Sequence, residues 1–309
     1  MSMLRRAAAG IEDVKCLVVA YFSARVSHRN HDFVAAIVKA TSHDERTVVR
    51  RNAEIVLEWI RDSPNNLYHF VRALSKRMEK TRSWVVAIKG LMLVHKLVRC
   101  RVPGVKKMGR LPFDLSRFSD GHSRLSKTCC FNLFVRRYYA FLDERGAIWV
   151  EDENGNAEDS PLMVQQLLKL RKRQLLLDML LKIRPRADNM KVPLIFEAMD
   201  CVVVEVFDVY SSIRSEIAKV LLEVHSLGKP EAATALEILR KAKRQVEKLS
   251  RFLEFCKEYG VSKANEAVTV FEIPAEYVKE LERRIDEVSE AIAEHGETTE
   301  TFTQIGGSP

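Results

Sequence analysis

Long hydrophobic runs are missing from this chain of 309 residues. Uninterrupted apolar stretches such as Cys16–Phe22 and Leu91–Val94 fall far short of the roughly 20 residues that a membrane-spanning helix needs. Glu12, Asp13 and Lys15 interrupt the region before the first of these stretches, which is not the pattern of a signal peptide. We therefore expect a cytoplasmic protein that meets membranes only as a peripheral protein.

Glycine and proline are scarce, with 12 and 9 residues. A β-rich protein with many tight turns needs more of both, whereas long stretches rich in Leu, Ala, Glu, Lys and Arg favour helices. The hydrophobic fraction of 47% and the charged fraction of 30% are typical of a globular protein. The composition therefore predicts an all-α fold.

Motifs of catalysis and metal binding are also missing. The sequence contains no G-x-S-x-G, no Walker lysine and no H-E-x-x-H. His95 lies in an apolar helical pattern, where a core histidine is expected rather than a catalytic base. The cysteines show no C-x-x-C spacing, so we expect buried, reduced thiols; they are Cys16, Cys100, Cys129, Cys130, Cys201 and Cys256. We expect no enzyme activity, no metal site and no cofactor.

Positive charge is concentrated in the first half. Residues 1–150 contain 28 Lys and Arg against 13 Asp and Glu, a net charge of +15, whereas residues 151–309 contain 22 against 29, a net charge of −7. Such a basic half predicts an anionic partner, either nucleic acid or a membrane surface. Interleaved surface aromatics and zinc-ligand spacing are missing, which argues against nucleic acid. Solvated helix faces with a basic bias remain the alternative.

Apolar periodicity predicts helices through most of the chain. One face of the helix at 81–100 carries apolar residues together with His95, and the helix at 191–226 has a continuous apolar face. Residues 101–130 contain several Gly and Pro, which predicts a long ordered loop. The predicted helices are 11–25, 31–40, 45–61, 66–79, 81–100, 129–145, 161–183, 191–226, 230–258 and 274–295. We expect a basic helical superhelix at 1–150, an acidic linker at 151–161, a helical bundle at 162–295 and a disordered tail at 296–309.

Basic residues converge in the segment from Lys39 to Asn52, K-A-T-S-H-D-E-R-T-V-V-R-R-N. A helix starting near residue 45, capped by Ser42 or Asp44, would point its first amides at an anion. Arginine adds a planar fork that grips phosphate oxygens. The candidate anion-binding residues are Lys39, His43, Arg46, Arg50 and Arg51.

Several segments resemble the ANTH domain, the membrane-binding module of clathrin assembly proteins. The phosphoinositide signature of that family begins Lys-Ala-Thr with a His two residues later, as at Lys39-Ala40-Thr41 and His43. The resemblance continues at 82–89 (R-S-W-V-V-A-I-K), 111–120 (L-P-F-D-L-S-R-F-S-D) and 131–139 (F-N-L-F-V-R-R-Y-Y), and more diffusely to about residue 290. The amino-acid sequence at 39–44 and 119–126 is most similar to that of plant members.

The resemblance implies an ENTH-like helical superhelix followed by a bundle of long helices. It also implies that this site binds phosphatidylinositol 4,5-bisphosphate, with Asn52 added to the site because it stands where the signature ends in His. Val49 stands where animal members carry Lys, so both positions depart from the signature.

Further implied partners are clathrin, adaptor complexes and a vesicle-associated SNARE, and the implied function is that of an adaptor in endocytosis. The implied locations are coated pits, coated vesicles and the Golgi apparatus. The alternative is a helical protein-interaction scaffold without lipid selectivity.

Overall fold

The structure is a computed structural model that describes residues 10–16, 18, 28–45, 50–100, 104–121, 125–154, 161–266, 274, 276–283 and 285. Within these residues all regular secondary structure is helical, which confirms the predicted all-α fold. The helices are α1 (residues 10–16), α2 (His28–Ala40), α3 (Arg50–Asp62), α4 (Pro64–Lys80), α5 (Trp84–Arg99), α6 (Leu125–Asn154), α7 (Leu162–Leu180), α8 (Pro193–Leu222), α9 (Lys229–Tyr259) and α10 (residues 276–283).

Several helix boundaries differ from the predictions. The helix predicted from residue 45 is described from Arg50, Glu45 lies in a bend, and residues 46–49 lie outside the described residues. Helix α6 begins at Leu125 and extends to Asn154, so the predicted acidic linker at 151–161 starts inside a helix. Acidic residues have ordinary helix propensity, and their charge alone does not end a helix. The predicted tail at 296–309 lies outside the described residues.

The chain forms two compact units. The first comprises Met1–Asn156, Leu176–Phe207 and Phe252–Ala267, and the second comprises Ala157–Leu175, Asp208–Arg251 and Val268–Pro309. This division differs from the predicted boundary at residue 150, because α7, α8 and α9 each contribute residues to both units. The apolar periodicity of a long helix continues without a break, so the sequence pattern does not mark where its packing partners change.

Helix α5 is the centre of the first unit. Every residue from Trp84 to Val98 except Lys96 is buried, so the helix is enclosed on all sides and not only along its predicted apolar face. Its approach to α4 is close at Gly90, where an added Cβ would overlap the Met78 side chain. Two polar residues of α5, Lys89 and His95, are buried with the apolar ones. Buried polar groups need hydrogen-bond partners, and these two have them.

Three of the sequence segments similar to the ANTH domain pack against one another in this unit. The Trp84 and Phe131 rings lie 4.1 Å apart between centroids. The Trp84 main-chain N–H donates to Asp120 Oδ1 at 3.2 Å, and the Asp120 N–H donates to Asn132 Oδ1 at 2.9 Å. These bonds pair the first amide of α5 and hold residues 111–120, in the loop before α6, in an ordered conformation.

The second unit is held by apolar residues and by two buried glutamines. Gln174 Nε2 donates to the Ile238 carbonyl at 2.9 Å, and Gln245 Nε2 donates to the Gln174 carbonyl at 2.7 Å. Buried residues of α8 in this unit include Tyr210 and Ile213, as the predicted apolar face of that helix requires.

Candidate functional site

Loop 41–45 follows α2 directly, and its first residue is fixed by α4. Thr41 is fully buried, and its Oγ1 donates to the Ile37 carbonyl at 2.7 Å, which extends the hydrogen bonding of the last turn of α2. Arg77 Nε donates to Thr41 Oγ1 at 2.6 Å, and Arg77 Nη2 donates to the Thr41 carbonyl at 2.7 Å. The direction in which the chain leaves α2 is therefore set by a guanidinium from another helix.

Lys89 of α5 fixes the middle of the same loop from beneath. This residue is 4% exposed, and its Nζ donates to Ser42 Oγ at 3.0 Å and to the Asp44 carbonyl at 2.7 Å. Burial lowers the Lys89 pKa to about 8, although the carboxylates of Asp44 and Asp13 act in the opposite direction. A buried ammonium therefore lies directly under the loop.

His43 is oriented by Asp13 of α1. The His43 main-chain N–H donates to both oxygens of the Asp13 carboxylate, at 3.0 and 3.1 Å. The His43 ring places Nδ1 2.7 Å from Asp13 Oδ1, and because a carboxylate accepts, Nδ1 is the protonated nitrogen. Arg77 Nη2 lies 3.7 Å from the same carboxylate. This arrangement fixes the orientation of the His43 ring.

Two predicted cations lie on the helices that flank the loop. Lys39 is exposed in the last turn of α2, and Arg51 is exposed in the first turn of α3. These two helices pack against each other. Asn52 is half-buried beside Arg51. Arg46 and the side chain of Arg50 lie outside the described residues.

The predicted helix cap is only partly covered by the described residues. Residues 43–45 are not helical, which excludes Ser42 as the cap, and Ser42 Oγ accepts from Lys89 instead. The Asp44 main-chain carbonyl also accepts from Lys89. A cap at Asp44 stays a prediction, because residues 46–49, whose amides it would hold, lie outside the described residues.

Sequence reasoning missed Asp13, Arg77 and Lys89. One signal for Lys89 was present: a single lysine inside an apolar run, V-V-A-I-K-G-L-M-L-V, must find a partner if the helix is buried on all sides. No comparable signal marks Asp13 or Arg77, because each is an ordinary charged residue of an amphipathic helix. Their role depends on where their helices pack.

A second polar cluster lies deeper in the first unit, around Glu205 of α8. Glu205 is 1% exposed and accepts from His95 Nε2 at 3.2 Å, from Arg99 Nη1 at 3.3 Å and from Arg145 Nη1. The Tyr138 hydroxyl donates to His95 Nδ1 at 2.7 Å. The prediction that His95 is a core histidine is confirmed, since it is fully buried.

Charge in this second cluster is set by burial and by the arginines. Burial lowers the His95 pKa more than its hydrogen bond to Glu205 raises it. Burial also raises the Glu205 pKa, but the His95 hydrogen bond and the charge of Arg145 outweigh it, so the net pKa is lowered. The cluster therefore consists of a neutral imidazole and a carboxylate shared by two guanidiniums.

The cysteines are all free, but they are not all buried as predicted. Cys256 is buried, and burial raises its pKa to about 12. Cys129 is exposed in the second turn of α6. Among the described side chains, no group of three His, Cys, Asp or Glu is placed to hold a metal ion.

Across the described ranges, no helix combines the length and the apolar character that crossing a bilayer requires. The family description "ANTH domain" matches residues 32–287. Two relatives from Arabidopsis thaliana, named "Putative clathrin assembly protein At1g25240" and "Putative clathrin assembly protein At1g68110", are each 48% identical to this chain, over 94% of it and 78% of their own length. A third from the same plant, "Putative clathrin assembly protein At1g14686", is 39% identical over 95% of this chain and 85% of its own. The chain therefore belongs to the ANTH domain family.

Proposed function

We propose that this protein is a peripheral membrane adaptor that binds phosphatidylinositol 4,5-bisphosphate on the surface around loop 41–45. The observation that supports the proposal best is the position of Lys39 and Arg51 on either side of this loop, with the ammonium of Lys89 beneath it. Arg46, Arg50 and Asn52 are included in the proposed surface on sequence grounds.

The charges of the loop region support an anionic ligand. Neither Lys39 nor Arg51 forms an ion pair with a residue that the structure describes. Arg77 and Lys89 add two more positive charges close to the loop, against the carboxylates of Asp13, Asp44 and Glu45. Several converging cations bind a phosphate group without needing a deep pocket.

The rigidity of the loop supports the same proposal. Thr41, Ser42, His43 and Asp44 are each held by a side chain from α1, α4 or α5. A ligand that binds a surface already ordered does not pay the entropy of ordering it, so moderate contacts give useful affinity.

Family membership supports the cellular part of the proposal. Because the relatives are named for clathrin assembly, we propose that this chain acts in clathrin-mediated endocytosis with clathrin and adaptor complexes, at coated pits and vesicles and at the Golgi apparatus. We also propose that a vesicle-associated SNARE binds the second unit as an amphipathic helix.

A protein scaffold without lipid selectivity is the second candidate function. Exposed leucines favour it: Leu162 is 71% exposed and Leu168 is 50% exposed, both on α7 within the second unit. Exposed apolar side chains on one helix are suited to a protein partner.

Co-sedimentation with vesicles containing different phosphoinositides tests the proposal. Lys39→Glu with Arg51→Glu is expected to abolish binding, while Lys243→Glu with Arg244→Glu is the matched control. The control residues are one exposed lysine and one exposed arginine of α9, so both double variants change the charge equally. Wild-type binding is expected to weaken as ionic strength passes about 0.15 M, where the Debye length is ~8 Å. Equal binding by the two folded variants would exclude the proposed surface.

A further inference from the structure

A second group of cations lies in the first unit, where the chain leaves α7. Residues 182–186 (K-I-R-P-R) begin in the turn just after α7, and their burial alternates. Ile183 and Pro185 are buried, whereas Lys182, Arg184 and Arg186 are exposed. Three exposed cations therefore lie within this short segment.

Arg137 of α6 brings a fourth cation to this segment. Its Nη1 donates to the Lys182 carbonyl at 2.8 Å, which places the guanidinium beside the segment. Burial lowers the Arg137 pKa, and the charges of Arg186 and Arg184 lower it further. Arg137 therefore joins this segment through a direct contact with its main chain.

Among the described residues, these four cations have no acidic partners. None of them forms an ion pair with Asp or Glu in the part of the chain that the structure describes. Other exposed arginines of the protein do: Arg110 contacts Asp143 at 2.6 Å, and Arg240 contacts Glu282 at 2.9 Å. Gathering like charges costs free energy, so this cluster is suited to an anion from outside the chain.

We propose that Arg137, Lys182, Arg184 and Arg186 form a second anion site, which binds a multiply charged phosphate group such as that of a phosphorylated inositol. Guanidinium forks match phosphate oxygens in pairs, and three of them beside one ammonium can neutralise several charges. The site shares no residue with the surface around loop 41–45, so its test does not depend on the function proposed above.

The segment is prepared for binding by its buried residues. Ile183 is fully buried, and Pro185 is buried with its φ fixed by the ring. Arg137 is held to the Lys182 carbonyl, and the guanidinium of Arg184 lies over the Phe255 ring at 5.8 Å from the centroid. Arginines positioned in this way lose less entropy when a ligand arrives.

Calorimetric titration of the full chain with soluble inositol trisphosphate tests this proposal. The informative protein is the Lys39→Glu, Arg51→Glu variant, because only the second site should remain in it. Adding Arg184→Gln and Arg186→Gln to that variant is expected to weaken the remaining binding at least about tenfold, since each charge-assisted contact contributes substantially. Adding Lys243→Gln and Arg244→Gln instead is the matched control and should leave binding unchanged.

Substitution by lysine provides a second test that preserves charge. Arg184→Lys with Arg186→Lys keeps both positive charges but removes the forks, so affinity should fall by less than with glutamine. Circular dichroism checks that each variant is folded. If the glutamine variant does not fold, the lysine variant still decides, because unchanged affinity there would contradict recognition by guanidinium.

Vesicles distinguish the sources of the phosphate. Loss of binding to vesicles containing phosphatidylinositol 4,5-bisphosphate, on changing Arg184 and Arg186, would identify a lipid headgroup as the ligand. Loss of binding only to soluble inositol trisphosphate would identify a free phosphate compound, and both results support the site. No trisphosphate binding by the Lys39→Glu, Arg51→Glu variant would overturn the proposal, as would cluster-dependent binding of a polyglutamate peptide without any phosphate binding.

Discussion

Lys89 and His95 are both buried polar residues of α5, yet their partners differ in kind. Lys89 donates to two uncharged oxygens of loop 41–45, the Ser42 hydroxyl and the Asp44 carbonyl. His95 bonds to the carboxylate of Glu205, which two arginines also contact. We call Lys89, Ser42 and Asp44 the loop cluster. The core cluster comprises His95, Tyr138, Glu205, Arg99 and Arg145.

The two clusters differ in the groups that surround their charged side chains. In the core cluster two guanidiniums contact one buried carboxylate, and the groups connect α5, α6 and α8. In the loop cluster an ammonium lies beneath a surface loop flanked by exposed Lys39 and Arg51. A buried carboxylate held by two guanidiniums favours stable packing, whereas exposed cations around a surface loop favour an anionic ligand. Variants of the two clusters should therefore change different properties.

The largest expected effect is on stability, at the core cluster. Glu205→Gln removes the carboxylate that Arg145 and Arg99 contact, so it should lower the free energy of unfolding by about 3–5 kcal/mol. Vesicle binding below the melting temperature should be unchanged. Urea denaturation followed by circular dichroism measures the first quantity.

Glu237→Gln is the control for that variant, because Glu237 pairs with Arg171 on the surface. Exposed pairs of this kind contribute less than about 1 kcal/mol. Similar losses of stability in the two variants would contradict the view that the core cluster stabilises the packing.

The next effect is on binding, at the loop cluster. Lys89→Met removes one positive charge and the two hydrogen bonds that its ammonium donates to the loop. It should therefore weaken phosphoinositide binding about tenfold, or about 1.4 kcal/mol. Stability should change little, because the substitution also removes the cost of burying an ammonium. Co-sedimentation and thermal melting measure the two quantities.

Lys96→Met on the same helix is the matched control, since Lys96 is half-exposed and lies 3.6 Å from Glu197. If both lysine variants bind vesicles as the wild type does, the loop does not depend on Lys89.

The smallest effect is a pH dependence that the loop cluster alone should show. The Lys89 pKa is about 8 in the folded protein, against an ordinary value of 10.5, through burial opposed by Asp44, Asp13 and Glu197. As pH rises from 7 to 9 Lys89 loses its charge, so binding should weaken by up to about fivefold, or ~1 kcal/mol for one charge. Lys89→Met should lack this change.

The stability of the folded protein should change with pH in the opposite direction, through the same residue, Lys89. Between pH 8 and 10.5 the unfolded chain holds the Lys89 proton and the folded chain does not, so this residue's contribution to stability rises with pH and is lost as pH falls through about 8. Binding and stability that fell together in the wild type but not in Lys89→Met would contradict this assignment.

Helix positions and exposed cations were predictable because they depend on neighbours in sequence. The apolar face of α5 and the long apolar face of α8 both lie in the core, and Lys39 and Arg51 are exposed as expected. The boundary of the two units was not predictable in this way, because α7, α8 and α9 continue through it.

The sequence by itself determined that the chain is helical, basic in its first half and similar to the ANTH domain, since composition, periodicity and motifs are read within short windows. Only the tertiary structure decided that Ser42 and Asp44 contact Lys89, and that Asp13 orients His43. These partners lie 30 to 47 residues apart in the chain. The physical reason is that a buried charge takes whichever partner the packing places within hydrogen-bond distance, and packing depends on the whole chain.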